Sequence, residues 1–331
     1  SSTGLADSSG SYIITDTEYS FLGFRRWAVV SGIDQAVAMG ITRYELVARQ
    51  ATRTEVLVAA AGGRAYLSLD GTTIFEVPGR IADTEGPVVV MDWEGKGLTV
   101  GGGLASVIDP VTVTVSKWTA TDHPTTKLPG ATEVGTTTAT VGCVHRGRVA
   151  LAGVPESGDI LYLSKFDDYL GWDIGSVDDG DARAYSVPCG DTIVCLATLP
   201  NNHLFIGCRS SMKMLVGDPL LGAYELVTLD PDVGVSGPRS VARVSTSGGE
   251  TLVVVHSPQG LYLLPLQGLP IPLMRDVLND LVEIPNASVG DYYIHLARDP
   301  ARHTLALYLT PRATESATHL IYEERVGDYR P

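Results

Sequence analysis

The stretch HRGRVALAGVPESGDILYLS, residues 145–164, runs through a turn, a short apolar run, a few small or polar residues and a second apolar run. The same order returns in GGRAYLSLDGTTIFEV (62–77), NNHLFIGCRSSMKMLVG (201–217), GETLVVVHSPQGLYLLPL (249–266) and ARHTLALYLTPRATESATHLIY (301–322). Aligned on the first apolar residue after the inner turn, the units fall at Ala65, Leu98, Val149, Leu204, Leu252 and Leu305, at intervals of 33, 51, 55, 48 and 53 residues. A four-stranded propeller blade takes about 40–50 residues, so this period specifies an all-β propeller, counted as six blades with five or seven left open. The short first interval marks a trimmed blade or a misaligned one.

Working outward, runs rich in β-branched and aromatic residues are broken by Gly, Pro, Asn and Asp roughly every 8–12 residues, as in a sandwich, barrel or propeller. Middle strands such as Val149–Leu151 and Ile160–Leu163 read as continuous apolar runs, expected where a sheet is covered on both faces. By contrast Val111, Val113 and Val115 alternate with Thr112, Thr114 and Ser116, which predicts a half-buried strand at the rim. Residues 1–11 are rich in Ser, Gly and Asp and read as a flexible segment, leaving 12–331 as one propeller domain. A circular fold must join its ends. Tyr12–Thr15 or Phe24–Val30 could add a strand to the last blade, and the second is favoured, because HLIYEERVGDYRP reads as a strand with Ile321 and Tyr322 facing inward. One short helix is expected near residues 273–284, where Leu273, Met274, Val277, Leu278, Leu281 and Val282 form a stripe bracketed by Pro272 and Pro285.

The 331 residues are 44% hydrophobic and 19% charged, enough for a large core, and the 36 glycines and 19 prolines suit many short strands joined by turns. A formal charge of −14 argues against a protein that grips nucleic-acid phosphates, since such binding places Lys and Arg along the strand. DNA passing beside an acidic wall without being held stays compatible with it. No stretch approaches the roughly 20 apolar residues of a membrane span, and the first thirty lack a basic segment followed by an apolar one, so a soluble chain without membrane insertion is expected. Cys143, Cys189, Cys195 and Cys208 show no C-x-x-C pair and read as small buried hydrophobes.

Chemistry-bearing motifs give little. GVSGPRS around Ser236 lacks the spacing of a nucleophile elbow, and no H-E-x-x-H, Walker-type or G-x-G-x-x-G element occurs. Asp178, Asp179 and Asp181 could hold a hard cation but lack the order of a calcium loop, so a solvated turn is the plainer reading. His145, His203 and His303 precede equivalent strands and could converge on metal, against the simpler expectation of exposed turn histidines. The run Gly101–Gly103 suggests a close backbone approach. Ser68-Leu69-Asp70-Gly71-Thr72 is similar to the aspartate box of sialidase blades but lacks its closing Trp, which supports a hairpin more than an enzyme. Trp27, Trp93, Trp118 and Trp172 sit among apolar neighbours and read as core anchors rather than a sugar-stacking platform. No catalytic, cofactor or metal residue is assigned.

From Val144 to Asp280 the order of signals resembles the β-propeller of bacteriophage tail proteins, especially the nozzle or hub subunits of short-tailed phages. HRGRVALAG (145–153) is similar to their G-R-v-y-l-a-G strand, and LYLSKFDDYLGWDI (161–174) to a strand ending in Y-S-x-x-x-D-x-x-x-W. Residues 178–218 resemble a D-G-D turn leading to two strands, the second bearing a Lys near a hairpin. LVTLDPDVGVSGPRSVARV (226–244) is similar to V-G-c-x-a-P-R-S, matched by Val233, Gly234, Gly237, Pro238, Arg239 and Ser240, and GLYLL (260–264) to the G-v-y-l that follows. The resemblance implies a structural virion protein, not an enzyme and without cofactor, that assembles as a homo-oligomeric ring, usually a hexamer. Such a ring sits at the distal tail, gates DNA ejection and carries adaptor, fibre or needle subunits. Many members carry platform domains, for which 331 residues leave little room, so the position within the tail stays open between nozzle, fibre adaptor and minor subunit.

In such a ring the acidic balance would line part of the conduit with carboxylates and leave viral DNA mobile. Arg25, Arg26, Arg43, Arg49 and Arg53 make the N-terminal region the basic exception and are the candidates for contact with an acidic neighbouring subunit. Two competing readings stand beside this one: a propeller that binds or cleaves glycans, and a cellular scaffold that presents loops to protein partners.

Overall fold

Short apolar runs broken by turn residues favour pairing between neighbours in the chain, and a meander of short antiparallel strands is what forms. The computed structural model describes residues 6–7, 10–11, 17–20, 24–27, 57–61, 63–68, 74–82, 88–101, 103–118, 128–131, 133, 136–174, 183–199, 201–218, 223–245, 251–265, 268–273, 290–299, 304–311 and 318–323. The chain divides into two compact units, residues 1–56 with 69–73, and residues 57–68 with 74–331.

In the first unit β1 (Ala6–Asp7) pairs with β2 (Gly10–Ser11), and β3 (Thr17–Ser20) with β4 (Phe24–Trp27). The segment favoured for closing the ring therefore supplies β4 to a two-stranded sheet with β3.

The second unit holds six successive sheets among the described residues. Sheet I is β5 (Leu57–Ala61), β6 (Arg64–Ser68) and β7 (Phe75–Val77). Sheet II runs from β8 (Val89–Trp93) through β9 (Lys96–Val100) and β10 (Ser106–Asp109) to β11 (Thr114–Lys117). Sheet III is β12 (Val141–His145), β13 (Arg148–Ala152), β14 (Ile160–Leu163) and β15 (Tyr185–Pro188). Sheet IV is β16 (Ile193–Thr198), β17 (Leu204–Cys208), β18 (Met212–Asp218) and β19 (Ala223–Asp230). Sheet V is β20 (Val241–Ser245), β21 (Thr251–Ser257), β22 (Gly260–Leu264) and β23 (Ile271–Leu273). Sheet VI is β24 (Tyr292–Asp299), β25 (Thr304–Pro311) and β26 (Thr318–Glu323). All pairings are antiparallel between consecutive strands, with β-bulges in sheet IV at Ile193/Cys195 and Met212/Lys213. The six anchor residues of the sequence repeat all fall on the second strand of a sheet, and the short first interval corresponds to a sheet with three described strands. The fold is an all-β propeller.

Its core is a set of interfaces between blades. One cluster joins sheets II and III through Met91, Trp93, Leu98, Val149 and Leu151, and another joins III and IV through Ala150, Leu161, Leu204 and Ile206. A third joins IV and V through Phe205, Met212, Val253 and Val255, and a fourth joins V and VI through Leu252, Val254, Leu261, Leu305 and Leu307. Successive residues of one strand thus serve opposite interfaces: Leu204 and Ile206 face sheet III, Phe205 faces sheet V. This is why β13 and β17 are buried at every position and carry no polar alternation. Each first strand lies at a sheet edge, and β8, β12 and β16 pack side by side, as do β20 and β24. These edges surround the axis.

Three local expectations are corrected. The alternating run at residues 111–116 is not one strand, because Asp109 accepts hydrogen bonds from the Val111 and Thr112 amides and folds 110–113 into a turn. Val111 is left 89% exposed, and only β11 beyond it is strand. Leu273, assigned to a helix, closes β23 opposite Leu261; the remainder of 273–284 lies outside the described residues, and among the described residues there is no α-helix. Gly103 has open space where a Cβ would stand, so its φ of +89° rather than a close approach explains the glycine.

Candidate functional site

One matched motif, Val233–Ser240, lies where the first strand of sheet V begins. Residues 233–240 link sheet IV to sheet V, and each has a physical task. Val233 and Val235 are buried in the interface between these sheets, and the Val235 amide donates to Cys208 O at 2.8 Å. Gly234 crosses the β17–β18 turn so closely that a Cβ would stand 1.9 Å from Arg209 O and 2.5 Å from Arg209 C. The Ser236 amide donates to His256 O at 3.1 Å, and the His256 amide donates to Ser240 O at 2.8 Å, which lashes the link to β21.

Arg239 reaches furthest. Its Nη2 donates to Val88 O, the residue before β8, at 2.9 Å. Sheets II and V are not neighbours in the chain, so this side chain ties the IV–V link to the entry of a sheet distant in sequence. Its own carbonyl accepts from the Leu296 amide of β24 at 2.9 Å, which sets His295 beside it. Burial, with Arg239's charge second, lowers the pKa of His295. The imidazole lies 6.0 Å from the Tyr308 ring.

Ser236 Oγ and His256 Nδ1 are 2.8 Å apart, a pairing that spacing alone did not reveal. His256 has no exposed surface, so a substrate in solution has no access to its imidazole and the pair acts as a clasp. Ser240 Oγ is fully buried and has no partner among the described residues.

At the far end of the first strands, Thr198 Oγ1 donates to Val144 O at 2.7 Å and lies 3.4 Å from His145 Nδ1, while Arg243 Nη2 donates to Thr198 O. His145 is 4% exposed, which corrects the expectation of a solvated turn histidine: it ends a first strand pressed between blades. His203, half-buried, bonds Asn201 and has its pKa lowered by burial and then by Arg146. His303 lies outside the described residues, as do Asp178, Asp179 and Asp181; among the described residues no three His, Cys, Asp or Glu side chains gather to hold a metal.

The segment matched to S-x-x-x-D-x-x-x-W is also architecture. Ser164 Oγ accepts from the Val149 amide at 2.9 Å, Asp168 Oδ1 accepts from the Leu170 amide at 2.8 Å, and Tyr169 O accepts from both Trp172 Nε1 and Trp118 Nε1. Trp93, Trp118 and Trp172 are buried as anchors, whereas nothing is described of the Trp27 side chain. Arg148, 2% exposed on a middle strand, donates to Ser164 O and, at 2.8 Å, to Arg183 O, with the Phe166 and Tyr185 rings 6.0 and 5.5 Å from its guanidinium carbon.

Ser68 ends β6 and pairs the hairpin's far side, while 69–73 lie outside the described residues. Arg25 and Arg26 stand opposite Tyr19 and Glu18 in the β3–β4 register; Arg43, Arg49 and Arg53 lie outside the described residues. No described helix is long and apolar enough to cross a membrane.

No family model matches the sequence, and no curated protein matches it. Among solved structures the chain is similar to a quinonprotein alcohol dehydrogenase-like protein from Bacteroides thetaiotaomicron, at 10% identity and a TM-score of 0.46 over 82% of this chain and 63% of that one. It is also similar to the extracellular domain of a one component system from the same species, at 10% identity and 0.42 over 97% of this chain and 40% of that one. A third is PorZ, a surface component of the type-IX secretion system of Porphyromonas gingivalis, at 11% identity and 0.37 over 97% of this chain and 45% of that one. The chain thus spans less than two thirds of the length of each, and none of the three is a phage tail protein.

Proposed function

We propose that this propeller is a structural subunit of a bacteriophage tail, a nozzle- or hub-like component of the virion. Copies assemble as a ring around the DNA ejection conduit and carry adaptor, fibre or needle subunits, and DNA passes without specific binding. One observation carries the reading: the residues that match the tail-protein pattern in Val233–Ser240 are those that join one blade to the next and tie that link to a sheet distant in sequence, through Gly234, Arg239 and Ser240. Motifs spent on architecture suit a protein whose work is assembly. Arg25, Arg26, Arg43, Arg49 and Arg53 are the proposed contacts to an acidic neighbour.

The test is to tag the gene in a phage that carries it and look for the chain in purified virions by mass spectrometry and immunogold labelling. Labelling at the distal tail supports the proposal. A chain absent from virions that hydrolyses fluorogenic glycosides would replace it with the glycan reading.

A further inference from the structure

The axis of this acidic chain is basic where its charges are best fixed. Arg239 and Arg243 sit four residues apart at the inner edge of sheet V, and each is exposed yet tethered by one Nη2–H to a main-chain carbonyl of another blade, Val88 O and Thr198 O. A guanidinium has five N–H donors, and a carbonyl takes up one of them without neutralising the charge. Among the described residues neither arginine is paired with a carboxylate. At the Arg239 end, the Leu296 amide donates to Arg239 O at 2.9 Å, which brings the neighbouring His295 of sheet VI within range of Arg239's charge. Ser240, next in the chain, buries a hydroxyl with no described partner. A tethered guanidinium with an imidazole near it is a donor set that oxyanions recognise, because the cost of ordering the cation is already met by the fold.

We infer that the space between Arg239 and His295 is a binding site for a small oxyanion, a phosphate or carboxylate group, held by the guanidinium and the imidazole together. This goes beyond the proposed structural role and holds whether or not the chain belongs to a tail. The occupant joins His295 of sheet VI to the link between sheets IV and V, whose Arg239 is itself tied to Val88 ahead of sheet II, and so it tightens the ring.

The probes are inorganic phosphate and succinate, titrated by NMR on the histidine ring protons at constant ionic strength, with chloride as the control. Bound oxyanion should raise the His295 pKa by at least half a unit, saturably, and leave His203 unmoved. Arg239→Gln should weaken binding roughly tenfold or more, and Arg239→Lys less, because charge survives while the planar fork does not. His295→Gln, which leaves the Val88 tether intact, guards against a misfolded Arg239 variant and should also weaken binding, read by calorimetry. Phosphate above succinate marks a phosphate site, and the reverse a carboxylate site. A His295 shift equal in chloride, or unchanged in Arg239→Gln, overturns the inference.

Discussion

Replacing Gly234 by alanine adds one methyl group, and the structure says where it must go. The new Cβ would stand 1.9 Å from Arg209 O, 2.5 Å from Arg209 C and 3.0 Å from Ser210 N. All three are main-chain atoms, so no rotamer change relieves the overlap; the β17–β18 turn or the 233–240 link has to move. Movement of the link strains the Val235 N to Cys208 O bond and shifts Val233 and Val235 in the interface between sheets IV and V. Overpacking of this kind costs about 3 kcal/mol, the upper part of its usual range, because nothing flexible absorbs it. Spread over 331 residues, at about 2.1 cal/mol/K of unfolding entropy each, that lowers the melting temperature by roughly 4 °C. Gly237→Ala is the matched control, in the same link, where the nearest atom to the new methyl group is Ser240 Oγ at 3.9 Å. It should stay within about 0.5 kcal/mol of the parent. Calorimetry and urea unfolding of the three proteins decide the matter: if Gly234→Ala melts no lower than Gly237→Ala, the assignment of this stretch to blade joining is wrong.

The thiols make a second prediction, since burial pushes Cys143 and Cys208 up to about 12 and Cys189 to about 11, and raises Cys195 further. The native protein should leave Ellman's reagent colourless at pH 8 and react fully once unfolded. Because the folded chain holds these protons above the ordinary value of 9.0, the unfolded chain releases them first, so stability should fall as pH rises from about 9, by at most roughly 1.4 kcal/mol per thiol per unit. A urea midpoint flat from pH 8.5 to 10.5 would refute the burial. Arg148→Met should cost about 3 kcal/mol by orphaning Ser164 O and Arg183 O inside the blade, and a loss below about 0.5 kcal/mol in urea unfolding would show that the site closes over without it. His295 should titrate below a free histidine in the parent and move upward in Arg239→Gln, whose loss of positive charge an NMR pH titration reads directly.

Much of the propeller could be read in the sequence because its period is written in apolar residues. Ala65, Leu98, Val149, Leu204, Leu252 and Leu305 mark second strands, of which β13 and β17 are buried at every position and tolerate little else. Rims and ends carry weaker signals. Val111–Ser116 mimicked a strand because Asp109 spends its carboxylate on two amides, and such a turn looks like any polar residue among valines. His145 looked solvated because a neighbouring Gly marks a turn, yet the blade packed beside it covers the ring. The axial contact was least visible: Arg239 and Val88 are far apart in the chain, and only the circular order of six sheets brings them together. Motif matching flagged Arg239 without saying what it touches, and His295 carried no sequence signal at all.

The central claim is that this propeller exists to assemble. Native mass spectrometry and negative-stain imaging of the purified chain test it most directly, on a protomer of 35.1 kDa. The account predicts a closed ring near 210 kDa for about six copies, as cyclic symmetry requires, and its loss when Arg25, Arg26, Arg43, Arg49 and Arg53 are all replaced by glutamate. A protomer that stays a monomer at tens of micromolar, alone and beside tail subunits encoded next to it, would contradict it.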